Sequence, residues 1–502
     1  MSKIMDYTQK MRKYFIIYAF IAAVCCSITL VSVTSANKFI FFRIISIASI
    51  IEVTAFLWIN LKKRGQLLNP EVLFVVFLFV FNFGQVVLLA FFSGAYARIL
   101  TFNVIELVTF DKYTHALRLI NCSFALICLG VLFPYKSKVN VTCLDPKDEL
   151  WNCKQTYKYA VIILIATFPI KIVIDMWQLY LAATQGAVVA REAMSSIPDF
   201  IVTYSNFAII GFVLLLFSTQ RTKKRIKILI LEVVYYCITM LVGRRSEIAV
   251  SVCVLFVFFL IASRKRMKFT YCVALIIIAY LFATLLYTVV YMRVNHGNSM
   301  TIGVFLESFY HCLLKENIIF EVLREYGNTG YTAIMVIENW LPQYGPAMGE
   351  SYYFGIFPVF FNISGIAGEL TVRSRFTLHL VESGVLNSQY LNIGGSLIGE
   401  LFYNFGCVGG LVASIFCGCG VGYIFHKAQE YCQSHNYIKL ACCVIPIIAV
   451  IYSVRSEFYY MIRDVVWGVL FVVITALLFC SRGRRLMRKF GDENDKCNSS
   501  RL

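Results

Sequence analysis

Residues 72–92 read VLFVVFLFVFNFGQVVLLAFF, a run without one charged side chain. A helix needs about 20 mostly apolar residues to cross a hydrocarbon layer about 30 Å thick. Outward from this run, further segments of the same kind fall near 15–35, 39–61, 115–134, 159–183, 200–218, 228–242, 248–263, 269–291, 396–424, 440–454 and 465–480. They predict an all-α polytopic integral membrane protein with about 12 transmembrane helices. Composition agrees: 59% of the 502 residues are apolar and only 15% are charged, against about 25% charged in a soluble domain. A soluble enzyme, a disordered chain and a nucleic-acid-binding domain are excluded as the main reading. The first segment follows Lys3, Lys10, Arg12 and Lys13 as a signal peptide would. Its apolar core is too long and a second span follows at once, so it reads as a retained anchor. The 18 cysteines are scattered through apolar runs with no zinc-type spacing, and read as small hydrophobes inside helices.

Basic residues orient the spans. With the N-terminus cytoplasmic, the segments 1–14, 62–71, 135–158, 219–227, 264–268, 425–439 and 481–502 hold 30 of the 46 Lys and Arg residues. RTKKRIK (221–227), SRKRMK (263–268) and RGRRLMRK (482–489) all fall on that side, as the positive-inside rule requires. The net charge of +18 is therefore topology signal and contact with a lipid bilayer, with no nucleic-acid partner implied. The opposite, outer face carries fewer cations but is biased to arginine, among them Arg244, Arg245, Arg293, Arg373, Arg375 and Arg455. Arginine offers a planar fork that matches phosphate oxygens, so this face predicts an anionic ligand.

Four regions follow: helices 1–9 over 1–293, a long outer loop over 294–395, helices 10–12 over 396–480 and a basic cytoplasmic tail over 481–502. A loop of that length is uncommon unless it is functional. TIGVFLESFYHCLLKENIIFEVLREYG (301–327) has apolar residues at helical spacing and predicts an amphipathic helix. NWLPQYGPAMGESYYFGIFPVFFN (339–362), rich in Pro, Gly and aromatics, suits a segment lying on or re-entering the membrane surface. Within the spans, Lys171 and Asp175 share a helical face at i, i+4 and read as an ion pair or a substrate-facing pair. Arg43 and Glu52 point to opposite sides of one span, so each needs a partner elsewhere. The glycines from Gly406 to Gly422 read as sites of close helix packing.

GRRSE (243–247), GESYYFGIFPVFFN (349–362) and GGSLIGELFYNFGCVGG (394–410) resemble the Wzy oligosaccharide repeat-unit polymerases of O-antigen and capsule assembly. The resemblance covers the architecture of nearly the whole chain, and its motifs about 40 residues. It implies a GT-C-like glycosyltransferase at the periplasmic face of the bacterial inner membrane. The growing chain would pass from undecaprenyl pyrophosphate to the non-reducing end of a new lipid-linked unit, both donor and acceptor being undecaprenyl-pyrophosphate-linked oligosaccharides. A chain-length regulator is the protein partner such a polymerase is expected to have.

The chemistry needs neutralisation of a departing pyrophosphate, for which Arg244, Arg245, Arg293, Arg373, Arg375 and Arg455 are the candidates. It benefits from a general base, and Glu400 and His379 are the candidate catalytic residues. Asn404, Glu457 and Tyr403 are the candidate sugar ligands. Gly394-Gly395-Ser396 could form an anion-binding nest or a simple turn. The sequence has no P-loop and no outer Asp-x-Asp pair, so a metal-independent reaction without cofactors is expected. Two other readings stay open: a flippase or transporter of lipid-linked oligosaccharides, and an O-antigen ligase. The first would favour internal repeats and a midplane site, and no half-to-half similarity is visible.

Overall fold

A computed structural model describes residues 2–31, 38–64, 68–92, 108–133, 153–185, 189–190, 193, 197–219, 221–239, 245–263, 269–295, 302–360, 373–386, 394–434 and 436–499. Among them there is no strand. The helices used below are α1 (Ser2–Thr29), α2 (Lys38–Arg64), α3 (Pro70–Phe91), α4 (Phe110–Val131), α5 (Cys153–Thr184), α6 (Asp199–Asn206), α7 (Ala208–Ser218), α8 (Thr222–Thr239), α9 (Arg245–Ser263) and α10 (Phe269–Asn295). There follow α11 (Ile302–Lys315), α12 (Ile318–Tyr326), α13 (Gly330–Met335), α14 (Leu341–Tyr344), α15 (Glu350–Phe360), α16 (Phe376–Glu382), α17 (Leu397–Gln433), α18 (Tyr437–Ser453) and α19 (Phe458–Ser499).

Eight stretches among the described residues are long and apolar enough to cross a bilayer: Arg12–Thr29, Lys38–Lys63, Pro70–Phe91, Phe110–Val131, Lys154–Ala182, Phe200–Ser218, Leu397–Cys432 and Phe458–Phe479. Ala249–Ile261, Tyr280–Met292 and Tyr437–Ser453 are shorter apolar helices. The chain is thus a polytopic membrane protein. The segment expected at 228–242 is the helix α8, whose first turns hold the basic cluster at 221–227 and which belongs to neither group.

The centre of the bundle is the contact of α17 with α4. A side chain on Gly418 would come within 2.2 Å of the Ile127 carbonyl, and one on Gly130 within 2.5 Å of the Ile415 carbonyl. The backbones therefore touch, as small residues permit between membrane helices, and Ser123 and Ser414 share a hydrogen bond of 2.5 Å across the same seam. Gly420 faces open space, with nothing within 4 Å. Gly406 serves another purpose than the packing expected of it. At φ 70 and ψ −173 it breaks α17 after two turns, a backbone that glycine adopts without strain. The break frees the Tyr403 carbonyl, which accepts from the Ala347 N–H at 2.8 Å instead.

The intramembrane charges singled out from the sequence, Arg43, Glu52, Lys171 and Asp175, find partners, as the cost of burying a charge requires. Arg43 donates through Nε to the Ala90 carbonyl at 3.3 Å. Glu52, fully buried, accepts from Asn121 at 3.2 Å. Lys171 pairs with Asp175 at 3.2 Å, and Tyr235 also donates to that carboxylate.

The amphipathic segment expected over 301–327 is two helices. Asn317 ends the first and caps the second, its side chain accepting from the Phe320 N–H at 3.1 Å, the usual role of Asn at that position. Beyond it the chain enters the bundle: Thr329, Thr332, Ala333 and Val336 have no exposed surface. The backbone of Gly327 lies on that of α3, where a side chain would meet the Gln85 nitrogen at 2.4 Å. Gln85 donates to the Arg324 carbonyl at 2.9 Å. On the opposite side Glu338 meets His115 of α4 at 2.6 Å. A π-helical turn, Val336–Trp340, then leads to α14.

Overpacking a closed helix contact costs about 1–3 kcal/mol. Gly418→Leu is therefore expected to lower the thermal midpoint of the detergent-purified protein and to reduce its monodisperse yield, whereas Gly420→Ala leaves both unchanged. Equal behaviour of the two variants in a fluorescence-detected melting assay would contradict this packing.

Candidate active site at the start of alpha 17

The first two turns of α17 carry Glu400, Tyr403 and Asn404 before the Gly406 break. Three other parts of the chain close over them: the N-terminus of α15, the segment 373–382, and the turn 454–457 with the first residues of α19.

Glu400 is buried, and both its oxygens are occupied. Oε1 accepts from the Ser351 hydroxyl at 2.7 Å, and Oε2 from the Phe458 N–H at 2.9 Å. Asn404, one turn on, donates to the Ser351 hydroxyl at 2.8 Å and to the Glu400 carbonyl at 2.9 Å, and accepts from the Ser351 N–H at 3.2 Å. The side chains thus join α17 to the N-termini of α15 and α19. Two of the residues read as a base and a sugar ligand are, in this arrangement, internal ties whose polar atoms are used within the protein.

Glu457 is also buried. Its Oε1 accepts from both the Thr377 N–H and the Thr377 hydroxyl, and Oε2 lies 3.5 Å from Nε of Arg375. Burial pushes this carboxyl above its ordinary range, against the opposing pull of Arg375 and the Thr377 hydrogen bonds. The Arg375 guanidinium also lies over the Tyr460 ring at 5.4 Å, so carboxylate and ring brace it from two directions while it stays 30% exposed. Arg373, 55% exposed, is 3.5 Å from Glu350 and lies over the Phe354 ring at 5.7 Å. Arg455 lies over Tyr326 at 5.3 Å and Phe81 at 5.9 Å.

Gly394 and Gly395 prove to be close-approach residues: side chains there would meet the Arg455 carbonyl at 2.8 Å and the Ser456 carbonyl at 2.7 Å. They seat the start of α17 against the turn that carries Arg455 and Glu457.

His379 is half-buried on α16, with Nδ1 2.6 Å from the Tyr403 hydroxyl. Tyr403 has no exposed surface. Trp340 stands edge-on to His379 at 5.0 Å, against Tyr403 at 5.0 Å, and stacks on Tyr344 at 4.5 Å.

Eight sequence candidates therefore converge: Arg373, Arg375, His379, Glu400, Tyr403, Asn404, Arg455 and Glu457. Arg244 lies outside the described residues. Arg245 begins α9 and Arg293 falls near the end of α10, but their side chains are outside the described ones. Sequence reading missed Ser351, Glu350, Thr377 and Trp340. Glu350 had a local signal, as an acid opening a helix after Gly349; Ser351 and Thr377 had none, since their partners are 49 and 80 residues away.

Membrane-crossing helices that gather arginines, carboxylates and aromatics at one end of the bundle define a polytopic membrane protein with a polar site at that end. The family model for the O-antigen polysaccharide polymerase Wzy matches residues 14–484, and the chain belongs to that family. No curated protein and no solved structure matches it. Family membership makes a polymerising glycosyltransferase-type activity on O-antigen polysaccharide its expected work.

The raised Glu457 carboxyl has a consequence for pH. Its folded-state pKa lies above the unfolded one, so its contribution to stability is present while it is protonated and is lost as pH rises through the folded value. Glu457→Gln, which stays neutral, is expected to flatten the fall of the melting temperature as pH rises above the ordinary carboxyl range. A wild-type slope unchanged in that variant would contradict the assignment.

Proposed function

We propose that this site joins lipid-linked oligosaccharide repeat units at the periplasmic face of the bacterial inner membrane. The anomeric carbon of the growing chain parts from undecaprenyl pyrophosphate. The hydroxyl at the non-reducing end of a newly arrived undecaprenyl-pyrophosphate-linked unit takes its place. The hydroxyl proton leaves through a carboxylate, and undecaprenyl pyrophosphate departs with the electron pair of the broken bond. This is transfer by a GT-C-like protein of about 12 spans, without metal or cofactor.

The observation that carries the reading is the pair Arg373 and Arg375, braced by Glu350, Glu457, Phe354 and Tyr460 yet accessible. Held guanidinium groups neutralise charge as it develops on a departing phosphate, with little reorganisation at the moment of reaction. Arg455 stands on the turn that also carries Glu457, and Arg244, Arg245 and Arg293 remain candidates for the same anion from their residue type alone. Glu400, Asn404 and Glu457 act by holding this surface together. Of the two carboxylates paired with these arginines, Glu350 is the more accessible, 18% exposed beside Arg373 against 3% for Glu457, and we assign it the proton of the acceptor hydroxyl. A chain-length regulator is the protein partner this reading expects.

Purified protein supplied with a lipid-linked repeat unit is expected to give a ladder of polymer on a gel. Loss of one transition-state donor costs about 100- to 1000-fold, so Arg375→Ala should abolish the ladder per unit of folded protein, a loss larger than the fall in yield expected when the buried Glu457 loses its cation. Arg375→Lys should fail to restore it, because an ammonium cannot reproduce the fork. Movement of labelled lipid-linked sugar across vesicles with no ladder would establish a flippase instead.

A further inference from the structure

We infer that Tyr403 is a positioning residue that fixes the protonation of His379, so that His379 presents an Nε2–H donor to the pyrophosphate of the lipid-linked substrate. The inference rests on the polymerase reading for the ligand, but the tautomer stands on geometry alone.

The Tyr403 side chain is fully buried, and its hydroxyl has one hydrogen-bond partner among the described residues, Nδ1 of His379 at 2.6 Å. A phenol carries one hydrogen. Were the imidazole proton on Nδ1, that N–H would point at the phenol oxygen, and the phenol hydrogen would be left without an acceptor in a place that water does not reach. A buried unmet donor is costly. The phenol therefore donates to a bare Nδ1, and the ring proton sits on Nε2, since the bond made by one ring nitrogen sets the state of the other. Nε2 has no protein partner among the described residues, and the ring is half-buried rather than enclosed.

Three contacts hold this orientation. Trp340 stands edge-on to the imidazole at 5.0 Å, and Tyr403 packs against Trp340 at 5.0 Å and Phe376 at 5.6 Å. The His379 N–H donates to the Arg375 carbonyl at 3.0 Å, so His379 stands one helical turn from the braced arginine. A neutral imidazole with its proton on the free nitrogen is no base. It donates a hydrogen bond, and beside Arg373 and Arg375 the acceptor that fits is an anionic phosphate oxygen. The proton of the acceptor hydroxyl must then go elsewhere, as the role given to Glu350 already requires.

The test has two arms. In histidine-15N NMR of the full-length protein, with the His379 signals identified by their loss in His379→Gln, the parent is expected to show protonated Nε2 and bare Nδ1. Tyr403→Phe, which keeps the ring and removes only the hydroxyl, should shift signal towards the Nδ1-protonated form. A parent protonated at Nδ1, or a spectrum that Tyr403→Phe leaves unchanged, overturns the positioning role. In the polymer-ladder assay, glutamine can replace the Nε2–H donor but not a base. His379→Gln should stay within about tenfold of the parent, while His379→Ala falls about 100- to 1000-fold. Equal loss in both variants overturns the donor role. A parent that makes no ladder yet shows the expected tautomer defeats the polymerase reading and leaves the Tyr403–His379 assignment in place.

Discussion

The architecture depends on one close approach of backbone to backbone, where Gly327 lies against Gly84 and Gln85 of α3. In a bilayer, apolar side chains gain little by leaving lipid for one another, so association relies on intimate packing and satisfied polar groups. Because neither Gly84 nor Gly327 has a side chain, the segment 327–340 can enter between α3, α4 and α17 instead of lying across their ends. Everything that forms the site is placed by that entry. Trp340 ends the inserted stretch and packs Tyr403, Tyr403 holds His379, and the residues leading into α16 bring Arg373 and Arg375 to the same end of the bundle. A larger residue at 327 would displace the inserted segment and, with it, the cluster around Tyr403 and His379.

The buried carboxylates show how cohesion and chemistry are divided. Glu400 and Glu457 lie within the cluster that also contains the arginines, and both are spent on internal bonds. Glu400 ties α15 and α19 to α17, and Glu457 ties Thr377 and Arg375 to the turn before α19. Removing either would leave buried donors unmet, a cost of about 1–3 kcal/mol for each group. Their loss would thus disturb the geometry of the cluster that α17, α15 and α19 form together. The accessible Glu350 is the contrasting case, an acid at a helix N-terminus facing an exposed arginine.

The membrane helices were legible because twenty apolar residues in a row have few other uses, and the demand for partners at Arg43 and Glu52 followed from the same cost. The pairing of Lys171 with Asp175 could be read from their spacing alone. The site was legible in part: residue type singled out Arg373, Arg375, His379 and Glu400, and the structure does gather them. Their roles were not legible, since whether Glu400 is available depends on Ser351 and Phe458, distant in sequence and chemically unremarked. Asn317 carried a readable signal, an N-cap residue inside an apparently continuous amphipathic run. The insertion of 327–340 carried none, because apolar spacing looks the same whether the face it covers belongs to a membrane surface or to the interior of a bundle.

The break at Gly406 divides α17 between two kinds of selection. Below it, Gly418 and Gly422 are confined by contact with α4, and few residues can replace them. Above it, Tyr403 and Asn404 answer to Ser351, Ala347 and His379, all carried by the long segment that precedes α17. A mutation that reshapes that segment need not propagate into the scaffold, since the helix is broken between the two. Substitutions can then accumulate in one half of this helix while the other half keeps its contact with α4.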